Sequence, residues 1–177
     1  MNGGMFMATF TLEELQSMIS VDIADYKLGR GDKKFITRDL GSCVGVAIHD
    51  PQTMVGGLIH IMLPQYIASH FEVTPNLAKY ADAGLEEMIR ELVYKGADKK
   101  RMVAKIAGGA HMVKLENIPK SRDISSRNLE AVKNKLQELQ IPILASEVGE
   151  DYPRTVVFDL ETGSMRIITA GKRDRIL

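Results

Sequence analysis

Two apolar runs with a period of two dominate the first third of the chain. Val44-Gly45-Val46-Ala47-Ile48-His49 and residues 54–63 flank the polar segment Asp50-Pro51-Gln52-Thr53. Aspartate followed by proline favours a type I turn, the usual nucleus of a four-residue hairpin loop, so the runs read as an antiparallel hairpin. Alternation places Val44, Val46, Ile48, Val55, Ile59 and Ile61 on a core face. Cys43, Gly45, Ala47, Gly56, Leu58 and His60 share the other face, which is mostly small and suits the floor of a cleft.

A helical period takes over further on. Leu77, Ala81, Leu85, Met88, Ile89 and Leu92 make one apolar face, announced by Thr74-Pro75 and ended by Gly96. A second helix over 127–139 carries Leu129, Val132, Leu136 and Leu139 on one side, with Ser125 or Ser126 as its cap. A short amphipathic piece spans 11–19. Strands are predicted over 21–27, 34–37, 102–107, 141–148, 154–158 and 165–169, with Gly29-Arg30-Gly31-Asp32 as a turn. The order of elements implies an α/β layered fold with mixed, largely antiparallel β-sheets flanked by helices. Residues 1–20 read as an N-terminal appendage, 21–170 as one domain, and 171–177 as a charged, frayed tail.

Composition narrows the function classes. At 177 residues and 45% hydrophobic the chain has enough material for one substantial core. Lysine plus arginine equals aspartate plus glutamate, 23 each, so no global field attracts nucleic acid or an anionic membrane. No apolar run has transmembrane length, and the N-terminus lacks the basic-then-apolar order of a signal peptide. With a single cysteine, which excludes an internal disulfide and any zinc site built on paired cysteines, the expected location is the cytoplasm.

That one cysteine heads the hairpin. A hairpin centred between Pro51 and Gln52 sets Cys43 directly across from His60, with Cβ atoms about 5 Å apart. A free thiol is only slightly ionised at neutral pH, and an adjacent imidazole that takes its proton makes it a nucleophile. Thr37, six residues earlier, ends the strand that feeds the Gly41 loop; its spacing alone reads as an ordinary strand-end threonine, with an orienting hydroxyl for the far nitrogen of His60 as the alternative. The Gly41 amide and Ser42 are candidates for an oxyanion hole. His49 lies on the order of 20 Å from Cys43 at about 3.3 Å per residue, too far to act on it. His70 sits in a polar connection, and His111, after Gly108-Gly109-Ala110, is a candidate site-lining residue.

The blocks around these residues resemble a known family. Leu40-Gly41-Ser42-Cys43-Val44-Gly45-Val46, Gly57-Leu58-Ile59-His60-Ile61-Met62-Leu63-Pro64, Ala78-Lys79-Tyr80-Ala81-Asp82, Lys105-Ile106-Ala107-Gly108-Gly109-Ala110-His111-Met112, Arg127-Asn128 and Arg154-Thr155 are similar to the chemoreceptor glutamine deamidases called CheD. The resemblance implies catalytic roles for Cys43, His60 and Thr37. It also implies a fold similar to the cysteine deamidases of the cytotoxic necrotizing factor type, and hydrolysis of glutamine side chains on the cytoplasmic helices of methyl-accepting chemotaxis receptors. It requires no cofactor and no metal, and its partners would be those receptors and a CheC-type chemotaxis phosphatase. Two alternatives stay open: a binding protein that regulates such a phosphatase with an idle triad, and a zinc-holding cysteine–histidine hydrolase acting on purines, for which His111 is the one source of a further ligand.

Overall fold

The computed structural model describes residues 10–68, 74–112 and 123–177; His70 lies outside them. The hairpin strands β4 (Val44–Asp50) and β5 (Val55–Ile61) are buried along their whole length. They form the middle of a five-stranded sheet with β2 (Tyr26–Arg30), β6 (Val103–Gly108) and β7 (Ile143–Val148), in the order β2-β5-β4-β6-β7. A second five-stranded sheet runs β1-β3-β8-β9-β10. It is built from β1 (Ile19–Ser20), β3 (Lys34–Leu40), β8 (Arg154–Asp159), β9 (Met165–Ile168) and β10 (Arg175–Ile176). Among the named strands of the described residues, pairing is parallel only between β1 and β3 and between β6 and β7.

Three layers result: the helices, the β2-β5-β4-β6-β7 sheet and the second sheet. Val44, Val46, Ile48, Ile59 and Ile61 pack under the helices α2 (Ala81–Tyr94) and α3 (Ile124–Glu138), against Leu85, Met88, Leu92, Val132 and Leu136. The opposite face, with Ala47 and Leu58, packs against Phe35, Leu40, Val156, Phe158 and Ile167 of the second sheet. The small side chains expected to floor a cleft therefore admit another sheet. Gly56 shows how closely the neighbours come: a Cβ there would sit 2.7 Å from Leu160 Cδ1 of the inter-sheet cluster.

The hairpin differs in register from the expectation. Asp50 pairs with Val55 and Gly45 with His60, so Cys43 is not directly opposite the histidine. The reason lies in the turn, where Met54 takes a left-handed conformation (φ 52°) and its N–H reaches the Asp50 carbonyl at 2.9 Å. The four-residue loop thus sits one position later, at 51–54 instead of 50–53, and the pairing slides by two, an even slip that leaves every side chain on its predicted face. The Asp50 carboxylate braces the loop, accepting from the Gln52 and Asp98 amides and from the Arg101 guanidinium, which holds its pKa far below the usual carboxylate range.

Several element ends also move. Helix α2 begins at Ala81 because Leu77–Lys79 forms a separate 3₁₀ turn and Tyr80 is extended, bridging Leu63. The Leu63 carbonyl takes the Ala81 N–H, a bond that anchors the helix start to the end of β5. Helix α3 is capped by Asp123, which accepts from the Ser126 amide at 2.9 Å, while Ser125 donates to the Ala110 carbonyl at 2.8 Å. The strand predicted over 21–27 is centred later, on Tyr26–Arg30, which leaves Gly31-Asp32 as the turn. The N-terminal helix α1 (Leu12–Ser17) is closed by a capping box between Thr11 and Glu14. The C-terminal tail is not frayed: Arg175 and Ile176 pair with Ile167 and Arg166, and Lys105 Nζ donates to the Leu177 carbonyl at 2.7 Å.

Candidate functional site

The chain crosses from the second sheet to the first between Leu40 and Val44, and that crossing is the Gly41-Ser42-Cys43 loop. Strand β3 carries a bulge just before it. Thr37 pairs with Val156 and Leu40 with Arg154, and the intervening Asp39 has φ 56°, so Arg38 and Asp39 are pushed to the exposed side. Thr37 remains fully buried between the sheets. His60, on β5, is 1% exposed, and Cys43 is half-buried beside the inter-sheet cluster.

One hydrogen-bond chain defines the imidazole. Thr37 Oγ1 lies 2.8 Å from the Val21 carbonyl oxygen and 2.8 Å from His60 Nδ1. A carbonyl only accepts, so the single hydroxyl proton goes to Val21 and the hydroxyl oxygen accepts from Nδ1–H. His60 is thereby held as the tautomer with its lone pair on Nε2. That nitrogen is buried and has no hydrogen-bond partner among the described residues. Burial lowers the His60 pKa to about 4, a shift only partly opposed by the Asp22 and Asp39 charges. Burial also raises the pKa of Cys43. Both shifts disfavour the charged forms, and so a preformed thiolate–imidazolium pair.

Cys43 lies one diagonal step from His60, since Gly45 is the direct partner. Diagonal neighbours on one face stand roughly 7 Å apart, and among the described residues no hydrogen bond joins the Cys43 thiol to the His60 ring. The loop that carries the thiol is tied down at three carbonyls: Ala110 N–H donates to Gly41 at 2.7 Å, Gly109 N–H to Cys43 at 2.7 Å, and Asn128 Nδ2 to Ser42 at 3.0 Å. Gly108 is required for this approach, because its φ is 108° and a Cβ would fall 2.3 Å from the Cys43 carbonyl oxygen.

His111 donates its backbone N–H to the Glu150 carbonyl, just after β7, at 2.7 Å, and its Nδ1 is 3.0 Å from the carboxylate of Asp123, the cap of α3. Its neighbour Met112 covers Gly41. His49 packs against Phe158 at the far end of β4. Among the described residues no three histidine, cysteine, aspartate or glutamate side chains stand together as metal ligands.

Two residues near the loop escaped the sequence reading as site elements. Asn128 is buried among Val132 and Leu136 on the apolar side of α3, and a polar residue in that stripe was the available signal. Arg154, paired across β3–β8 with Leu40, forms a buried ion pair with Glu147 of β7 and stacks on Tyr152 at 4.5 Å. It joins the two sheets beside the crossing, and periodicity gives no hint of that partner.

Fold and site together define an α/β/β protein with a cysteine and a histidine where the chain passes between its two sheets. The chain belongs to the CheD family. A family model described as CheD chemotactic sensory transduction matches residues 62–169. A "probable chemoreceptor glutamine deamidase CheD" of Syntrophomonas wolfei is 42% identical over 163 residues, 92% of this chain and 100% of that protein. A protein of the same description from Moorella thermoacetica is 41% identical over 160 residues, covering 90% and 95% of the two chains. One from Lachnoclostridium phytofermentans is 40% identical over 155 residues, covering 88% and 95%.

Proposed function

We propose that the protein hydrolyses glutamine side chains on the cytoplasmic helices of methyl-accepting chemotaxis receptors to glutamate and ammonia, by a Cys43–His60–Thr37 thioester mechanism. The observation that carries this reading is the fixed tautomer of His60, which leaves a buried lone pair on Nε2 one diagonal step from the only thiol. His60 takes the Cys43 proton as sulfur attacks the carboxamide carbon, and the carbonyl electrons move to oxygen. Amides of the Gly41-Ser42-Cys43 loop hold that oxyanion. Collapse of the intermediate breaks the C–N bond, and His60 returns the proton to the departing nitrogen, releasing ammonia. His60 then deprotonates water, which attacks the thioester and frees glutamate and the thiol. The reaction uses only these side chains, and the catalytic domain spans 21–170.

The same reading places the protein in the cytoplasm, where the receptor helices are, and makes a CheC-type phosphatase a second partner. No helix among the described residues is long and apolar enough to cross a membrane. The reading is tested by incubating the protein with a receptor cytoplasmic fragment and mapping glutamine-to-glutamate conversion by mass spectrometry. Defined sites of conversion support it, and an unchanged fragment overturns it in favour of a binding role.

The pH profile supplies a further prediction. The base must be neutral to accept the thiol proton, and the buried His60 stays neutral until pH falls to about 4. The acid limb of kcat/KM is therefore expected near pH 4, whereas an imidazole of ordinary pKa would lose activity below about 6.5. A limb at the ordinary value in steady-state assays, with the fold intact by circular dichroism, would show that the working histidine is solvated.

A further inference from the structure

We propose that Asn128 is a positioning residue that aims the Cys43 amide N–H at the oxygen of the attacked carboxamide, an inference that rests on Cys43 being the nucleophile. Asn128 is fully buried, and its Nδ2 donates to two carbonyls, Ser42 and Met62, each at 3.0 Å. Both contacts need a donor, so the amide nitrogen must face them and Oδ1 is left buried without a partner among the described residues. A buried unpaired acceptor costs stability, and an apolar side chain like Val132 or Leu136 in the same stripe would avoid it. The residue serves what its two donated bonds hold in place.

Those bonds set a direction. In a trans peptide the C=O and N–H of one plane point oppositely. Asn128 draws the Ser42 carbonyl toward α3, so the N–H of the same peptide, that of Cys43, turns away from the helix layer. That is the side on which Cys43 packs, with the inter-sheet cluster. The Gly41 carbonyl is fixed in the same way by Ala110, which orients the Ser42 N–H. Neither the Ser42 nor the Cys43 N–H donates to an acceptor among the described residues. Through Met62, two residues beyond His60, the same side chain ties the nucleophile's loop to the strand that bears the base.

The test compares two reactions of the same thiol in Asn128→Leu and Asn128→Asp. Deamidation builds an oxyanion, whereas alkylation by iodoacetamide displaces iodide from a saturated carbon and builds none. Loss of one oxyanion donor costs about a hundredfold or more in other enzymes, and misaiming a donor that stays present costs less. We expect kcat to fall about ten- to a hundredfold with KM and the alkylation rate within about twofold of wild type. A kcat within about threefold of wild type, or a parallel fall in alkylation, overturns the proposal. In wild-type protein, which needs no variant to fold, a receptor-derived peptide with an aldehyde in place of the glutamine amide should move the Cys43 amide proton downfield as the thiohemiacetal forms. An unmoved resonance on a bound adduct also overturns it. Deamidation that survives Cys43→Ala defeats the underlying reading instead, which separates the two failures.

Discussion

Replacing Cys43 by alanine is expected to lower deamidation of a receptor fragment by roughly 10⁴-fold or more while the protein remains folded. The half-buried thiol makes no hydrogen bond among the described residues, and its loss removes one atom from the margin of the inter-sheet cluster. His60→Ala should approach the same floor, because a thiol whose pKa is raised by burial has no other route to its thiolate at neutral pH. The double variant should then be no worse than either single one, since residues that act as a unit are strongly non-additive. Quantitative mass spectrometry of glutamate formation, with thermal melting as the folding control, checks all three. Turnover near wild type in Cys43→Ala would take the thiol out of the reaction, and additive losses would separate the two residues.

The pairing of those residues was legible only in part, for a physical reason. Side-chain alternation has a period of two, so the faces of β4 and β5 could be read from the residues, including the shared face of Cys43 and His60. Register depends on the turn, and nothing in Asp50-Pro51-Gln52-Thr53 announces that Met54 adopts φ 52°. The start of α2 was obscured in the same way: Leu77 keeps the helical phase, but residues 77–80 are claimed by bonds to the end of β5. The charged tail looked free because its partner strand is ten residues earlier and the pairing is by backbone. The family resemblance pointed to Thr37, whose spacing alone reads as an ordinary strand end, whereas the Val21 carbonyl that fixes its proton could not be found, because backbone acceptors carry no sequence signature.

That Val21 carbonyl sharpens the expected behaviour of Thr37. Thr37→Ser keeps a hydroxyl that donates to Val21 and accepts from His60 Nδ1, so it should retain most of the turnover. Thr37→Val keeps the shape and the β-branching but deletes the oxygen. The Nδ1–H is then buried with no acceptor, at a cost of about 1–3 kcal/mol, and the ring can escape that cost by moving its proton to Nε2. A ring protonated there has no lone pair for the thiol. We expect Thr37→Val to lower kcat roughly ten- to a thousandfold, less than the loss of a triad carboxylate, because a hydroxyl carries no charge. Nitrogen-15 resonances of the His60 ring distinguish the mechanism from mere loosening of the core: wild type and Thr37→Ser should show the proton on Nδ1, and Thr37→Val on Nε2. Equal turnover in the valine and serine variants would make Thr37 a structural residue and leave the orientation of His60 to its packing between the sheets.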